Sequence, residues 1–249
     1  MQLHLKDNAD LAESFIKYLL NDALTYCAED LKFFDERIKP ELLEMLNRTL
    51  TSPFGRITYT DAIKELEKNG VQVYIMKSLH SSDINLVFED ILTYGKIFNL
   101  ENNAKKVVGK MKSDLAAVQK QLPKNKVKVF TYDSGDKAPF VVGGDSIGNT
   151  IITLAGGDNI FKDIKKAWAD GNWEKVLVEN PDIIVIIDYG DQSAESKIKF
   201  LKEKSPIKDL KAVKNNKFVV IELADITAGV RNVDAIKKLA KAFHNITIK

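Results

Sequence analysis

From residue 126 onward the chain switches repeatedly between two hydrophobic periods. KVKVFTY, DIIVIID and KFVVIEL are short β-branched runs, and helical spacing governs 147–154, 173–179, 194–202 and 233–244. The blocks NWEKVLVENPDIIVIIDYG and DLKAVKNNKFVVIEL each read helix, turn, strand, while in DSIGNTIITLAGGDNIFKD a helical run stops at Gly156-Gly157. Strands alternating with helices imply a parallel sheet wound by crossovers, and ligands of such sheets sit on the loops leaving the carboxyl ends of the strands.

The first half is mostly helical. Leu11, Phe15, Leu19 and Leu20 fall on one stripe, a second helix is expected over 29–38, and Pro40 suits the first turn of a third that runs to the break Thr51-Ser52-Pro53. RITY then predicts a strand, Thr60 a cap for a helix over 61–68 ended by Asn69-Gly70, and VQVYIM a second strand, together one βαβ unit. Ser81 or Ser82 is expected to cap a helix over 83–98. The next helix, 102–122, carries Val107, Val108, Met111, Leu115 and Val118 and is closed by Pro123. At 1.5 Å per residue it spans about 30 Å, enough for a rigid strut between two lobes. The expected segments are 1–70, 71–122 and 123–249.

Composition narrows the classes. A 249-residue chain with 45% hydrophobic and 29% charged residues has ample material for a core, and a net charge of +2 gives no nucleic-acid footprint. No apolar run is long enough for a membrane span, and MQLHLKDNAD lacks the basic and apolar regions of a signal peptide. Cys27, the single cysteine, excludes an intrachain disulfide and reads as a buried thiol on a helix face. His4, His80 and His244 form neither HxH nor HExxH, so no metal site is expected. GGDSIG and AGGDN match neither the P-loop nor the dinucleotide fingerprint. No nucleophile, base and acid set can be argued from spacing, so no catalytic residue is assigned.

GNTIITLAGGDNIF, NWEKVLVENPDIIVI, LKAVKNNKFVVIEL and ITAGVRNVDAIKKLAKAFH, in this order and spacing, resemble the substrate-binding proteins of ATP-driven importers for iron siderophores, haem and cobalamin. The resemblance covers about 71–244. It implies an α/β fold with a parallel-sheet, Rossmann-like carboxyl-terminal lobe, a long connecting helix and a truncated, partly helical amino-terminal lobe whose first half has no counterpart here. LKDNADLAESFIKYLLNDALTYCAEDLKFFDERI and FGRITYTDAIKELEKNG are similar instead to the part of asparaginyl-tRNA synthetase between its second and third class-defining motifs. The ATP-binding Arg of motif two and the Gly-Arg block of motif three are absent, so no aminoacylation is expected.

What the importer resemblance implies is a non-enzymatic binder working outside the cytoplasmic membrane, with a permease as partner and a ferric siderophore, haem or cobalamin as ligand rather than a required cofactor. Because no leader is legible, the sequence assigns no compartment. An incomplete lobe implies a shallow or empty cleft, and a truncated sheet edge could be hidden by pairing with a second copy. The competing reading is a chimeric interaction or structural protein with no evolved ligand.

The implied pocket residues are Asp133, Ser134 and Gly135 after the first strand of the carboxyl-terminal lobe, then Phe140, Gly144 and Asp145. The alternatives are a side-chain turn for Asp133 and Ser134 and a helix cap for Asp145. Trp168 and Trp173 suit stacking on a flat macrocycle or packing in the core. Tyr189 follows a strand at its carboxyl end. Arg231 offers a bidentate fork for a carboxylate or phosphate, against a surface ion pair as the alternative. Among acidic residues that could dock a permease, Asp191, Glu195 and Glu203 are not separable by sequence.

Overall fold

The computed structural model describes residues 5–190 and 192–246, and the chain divides between Tyr74 and Ile75 into two units. The first holds α1 (Leu5–Tyr26), α2 (Ala28–Arg37), α3 (Leu42–Thr51) and α4 (Tyr59–Lys68). Its ion pairs are specific: Arg56 reaches Asp10 at 2.7 Å and Glu13 at 2.9 Å, and Lys17 lies 2.8 Å from Glu13. The Lys17 ammonium and the backbone N–H of Phe54 hold the Glu13 carboxyl down at about 2.

Several expectations for this stretch are corrected. RITY is not a strand: Thr58 caps α4 by accepting from the Asp61 N–H at 3.1 Å, and Tyr59 already belongs to the helix. Thr60 therefore lies inside the helix. VQVYIM has strand composition but is in no strand, so the expected βαβ unit is absent among the described residues. A strand exists only through a neighbouring strand to form a ladder with, and among the described residues this run joins no ladder. Pro40 stands before the helix start, where Glu41 takes a left-handed conformation with φ 67°. Cys27 is exposed at the break between α1 and α2, not buried. Among the described residues of this unit there is no strand, and so no sheet edge for a second copy to pair with there.

The second unit begins with a 3-10 turn at Lys77–His80, then α5 (Ile84–Ile97) and α6 (Glu101–Gln121). Asp83, not Ser81 or Ser82, caps α5, accepting from the Asn85 N–H at 2.9 Å. There follow β1 (Val127–Tyr132), β2 (Phe140–Val142), α7 (Ile147–Leu154), β3 (Gly157–Asn159), β4 (Trp168–Asp170), α8 (Trp173–Glu179), β5 (Ile183–Asp188), α9 (Ala194–Glu203), α10 (Lys211–Lys214), β6 (Phe218–Glu222) and α11 (Asn232–His244). Four strands form a parallel sheet in the order β3-β1-β5-β6, and β2 pairs with β4 in a small antiparallel sheet.

The parallel sheet is buried on both faces, which is why β5 is apolar from Ile183 to Ile187. Ile183, Val185 and Ile187 join a core with α5, α6, α7 and α11. Ile184 and Ile186 point the other way, into a core with Trp173 and Val176 of α8, Leu201 of α9 and Ala212 and Val213 of α10. The long helix α6 is part of the first core through Val108, Met111 and Val118, whereas Val107 is exposed. It is also tied to α11: the Asp114 carboxylate lies 3.0 Å from the Lys237 ammonium and 2.6 Å from that of Lys110.

Hydrogen bonds from Lys110 and Lys237 lower the Asp114 pKa, and Asp114 raises that of Lys237. The carboxylate contribution is complete above its unfolded value near 3.9 and fades as pH falls through the lower folded one; that of Lys237 is complete below about 10.4 and is lost at higher pH. Asp114→Asn should cost about 0.5–1 kcal/mol at pH 7, with the deficit shrinking in denaturant melts below pH 4. At the end of α7, Gly156 takes φ 83°, and a Cβ there would run into the His244 imidazole. Gly156→Ala should lower stability by about 2 kcal/mol, read from the same melts.

Candidate functional site

A cleft of about 430 Å³ opens within the second unit between residues 76–81 and the loops around α7, β4 and the start of α11. One wall is the 3-10 turn, which hangs from Asp90 of α5. The buried Asp90 carboxylate accepts from the Lys77 N–H at 3.0 Å, from the Ser78 N–H at 2.9 Å and from the Ser78 hydroxyl. The Thr150 hydroxyl of α7 donates to the Ser82 carbonyl at 2.7 Å and fixes the same segment from the other side. Met76 and His80 both border the cleft.

The opposite wall carries Asp145 and Trp168. Ser146 is the N-cap of α7, accepting from the Gly148 N–H at 3.0 Å, so the cap expected of Asp145 falls to its neighbour and the Asp145 side chain stays exposed. Trp168 is stacked on Phe140, with ring centroids 6.0 Å apart at 11°, which fixes the indole plane from behind. Gly144 donates its N–H to the Ile164 carbonyl at 2.8 Å, and a Cβ there would collide with the Lys162 carbonyl. The glycine lets the two loops close together at the cleft's rim.

A second polar group gathers where β1 and β5 end. Asp133 is 4% exposed; one carboxylate oxygen accepts from the Tyr189 hydroxyl at 2.9 Å and from the Ser134 hydroxyl at 3.2 Å, and the other is buried without a partner. Burial, then the hydrogen bond to Asp133, raises the Tyr189 pKa. Lys197, buried on α9, donates to the Ile187 carbonyl and sits 4.2 Å from the centre of the Tyr189 ring. Desolvation lowers its pKa, opposed by the charges of Asp133 and Asp188. Lys197 and Gly135 border a hollow of about 750 Å³, and Tyr189 borders another of about 630 Å³ with Asp188, Glu222 and Thr227.

The expected site residues thus separate into groups. Asp145 and Trp168 meet in the cleft, with Phe140 and Gly144 behind them; Asp133, Ser134 and Tyr189 form one network. Trp173 is buried against Phe130, Tyr132 and Phe200 and gives its indole N–H to the Asp136 carbonyl at 3.0 Å, so its ring serves the core. Arg231 lies on the surface, 3.1 Å from Glu222 and 3.9 Å from Asp225, the ion-pair arrangement weighed against a ligand grip. Glu195 and Glu203 are exposed on α9; Asp191 and His4 lie outside the described residues.

Met76, Ser78, His80, Asp90 and Lys197 escaped sequence reasoning. Two carried a signal: Asp90 interrupts the apolar run LVFEDIL, and Lys197 occupies a core position of the stripe Ala194, Lys197, Ile198, Leu201. Among the described residues, no helix is long and apolar enough to cross a membrane, and no group of three His, Cys, Asp or Glu side chains is placed to hold a metal ion.

A periplasmic binding protein from Veillonella parvula is 32% identical, with a TM-score of 0.69 over 84% of this chain and 74% of that one. The haem-complexed IsdE of S. aureus is 24% identical with a TM-score of 0.59, covering 83% of this chain and 81% of the other, and so shares the fold. An 89-residue stretch, 36% of this chain, is 48% identical to asparagine–tRNA ligase of Treponema denticola but spans only 19% of that enzyme. The profile described as periplasmic binding protein matches residues 39–223. With that profile over most of its length and the Veillonella relative above 30% identity, the chain belongs to the periplasmic binding protein family.

Proposed function

We propose that the chain is the substrate-binding component of an ATP-driven importer, that it works with a membrane permease, and that it takes an iron-bearing ligand, haem or a ferric hydroxamate, in the cleft bordered by Met76, His80, Asp145 and Trp168. The observation that carries the reading is this cleft, built from the segment before α5 and the loops at the sheet's carboxyl edge in a chain of this family. Its volume of about 430 Å³ lies within the range of roughly 300–1,000 Å³ usual for small-molecule sites. Trp168 supplies a fixed aromatic plane, and Met76 and His80 bring thioether and imidazole, the donor types that hold haem iron. Structural neighbours include a haem-binding protein from Roseiflexus and an Fe3+-hydroxamate transport system protein from Saccharomonospora viridis, at 18% and 21% identity. These neighbours are described as haem or Fe3+-hydroxamate proteins, which favours an iron carrier over a cobalamin as the ligand.

A second reading has its own observation. The synthetase-like stretch is 48% identical to its relative over 36% of the chain, against 32% to the Veillonella protein over 84%, as expected of a chimera with two ancestries and no evolved ligand. Titration separates the two. Haemin or a ferric hydroxamate at a hundred times its Kd should stabilise the fold by about 2.7 kcal/mol, which raises the melting temperature by about 5–10 °C for a domain this size. Trp168→Leu should weaken that binding about tenfold. Melting curves unmoved by haemin and by several ferric hydroxamates would leave the chimera reading standing.

The clamp can be tested without a ligand. Asp90→Ala leaves the Ser78 donors without an acceptor and should cost about 3 kcal/mol, with protease cleavage appearing first in residues 76–82.

A further inference from the structure

The helix α1 is turned inside out. At about 100° of rotation per residue, Leu11, Phe15, Tyr18, Leu19 and Tyr26 fall within about 100° of arc, the width of the stripe that a helix ordinarily buries. Here they are exposed, at 67, 59, 63, 48 and 80%. The face turned inward instead holds Glu13 and Lys17, whose side chains are only 18 and 24% exposed and which pair with each other beside Arg56 and Phe54. None of the described residues from 7 to 77 falls into the buried class. A helical unit whose described residues include none in the buried class removes little apolar surface from water to offset the entropy of ordering its chain, so that surface needs a cover.

We propose that the cover is a second copy of this chain, joined through α1 packed antiparallel on α1 of its partner about a two-fold axis between Tyr18 and Leu19. Three exposed rings at about 150–250 Å² each, with two leucines, offer roughly 500–700 Å² per copy. That approaches the ~800 Å² per partner of a standard stable interface, which contacts beyond α1 would complete. Antiparallel register sets large against small, Tyr26 over Leu11 and Tyr18 over Leu19, and brings Phe15 beside Asp22. It also answers the one charge on the stripe: a parallel pair would set Asp22 against Asp22, whereas antiparallel packing separates the two by about 10 Å along the axis. The proposal is independent of the ligand reading, since all its residues lie in the first unit.

Sedimentation of the purified chain at tens of micromolar should give twice the 28.0 kDa chain mass. Phe15→Lys and Tyr26→Lys should each raise the dimer dissociation constant at least a hundredfold. Both side chains point to solvent, so helicity by circular dichroism should be retained; Leu11→Lys is a further variant should one misfold. Cys27 reports orientation, because antiparallel packing holds the two thiols about 25 Å apart. Oxidation should therefore not crosslink the native dimer, while Leu19→Cys in a Cys27→Ser background should crosslink readily. A monomer at these concentrations, a dimer indifferent to the lysine variants, crosslinking through Cys27, or a monomer that binds lipid vesicles through this face would each overturn the proposal.

Discussion

The second unit depends on a parallel sheet that must be covered on both faces. Parallel strands need crossovers, crossovers place helices on each side, and a strand covered on both sides is apolar at every position. β5 meets this demand with four isoleucines and a valine that enter two separate cores by turns. Everything at the carboxyl edge follows. The strands end together, their exits are loops, and the polar residues those loops carry, Asp133, Tyr189 and Asp145 among them, are brought to one side of the molecule.

The cleft adds a wall that does not come from the sheet. Residues 76–82 belong to no strand and are tied down by side chains from two helices, Asp90 and Thr150. A short segment shaped by a buried carboxylate is positioned as firmly as one in a strand, because the Lys77 and Ser78 N–H groups have their acceptor in Asp90. The Trp168–Phe140 stack plays the matching part opposite. The site is thus a product of tertiary contacts between elements far apart in sequence.

That is also why legibility was uneven. Long periodic segments were readable: all three strands expected after residue 126 are present, and the helices of that region fall within a residue or two of their expected bounds. VQVYIM misled because composition reports a residue's fitness for a pleated surface and is silent on whether a neighbouring strand exists. RITY misled because the Thr58 cap lies two residues before the expected one. β2, β3 and β4, three residues each, are too short to show a period. Of the site, residues on strand exits were found from topology, whereas Met76 and His80 lie in a segment whose role depends on a clamp thirteen positions away. Arg231 looked like a ligand grip because its chemistry suits one, but its guanidinium is paired with Glu222 and Asp225.

The attachment of α6 to the same core as α7 and α11 has a consequence for recognition. Both walls of the cleft are anchored in one packed interior, the turn through α5 and the facing loops through α7 and α11, so the aperture is set before any solute arrives. Association then forfeits little to reorganisation, and discrimination among solutes rests on girth rather than on closure around the guest.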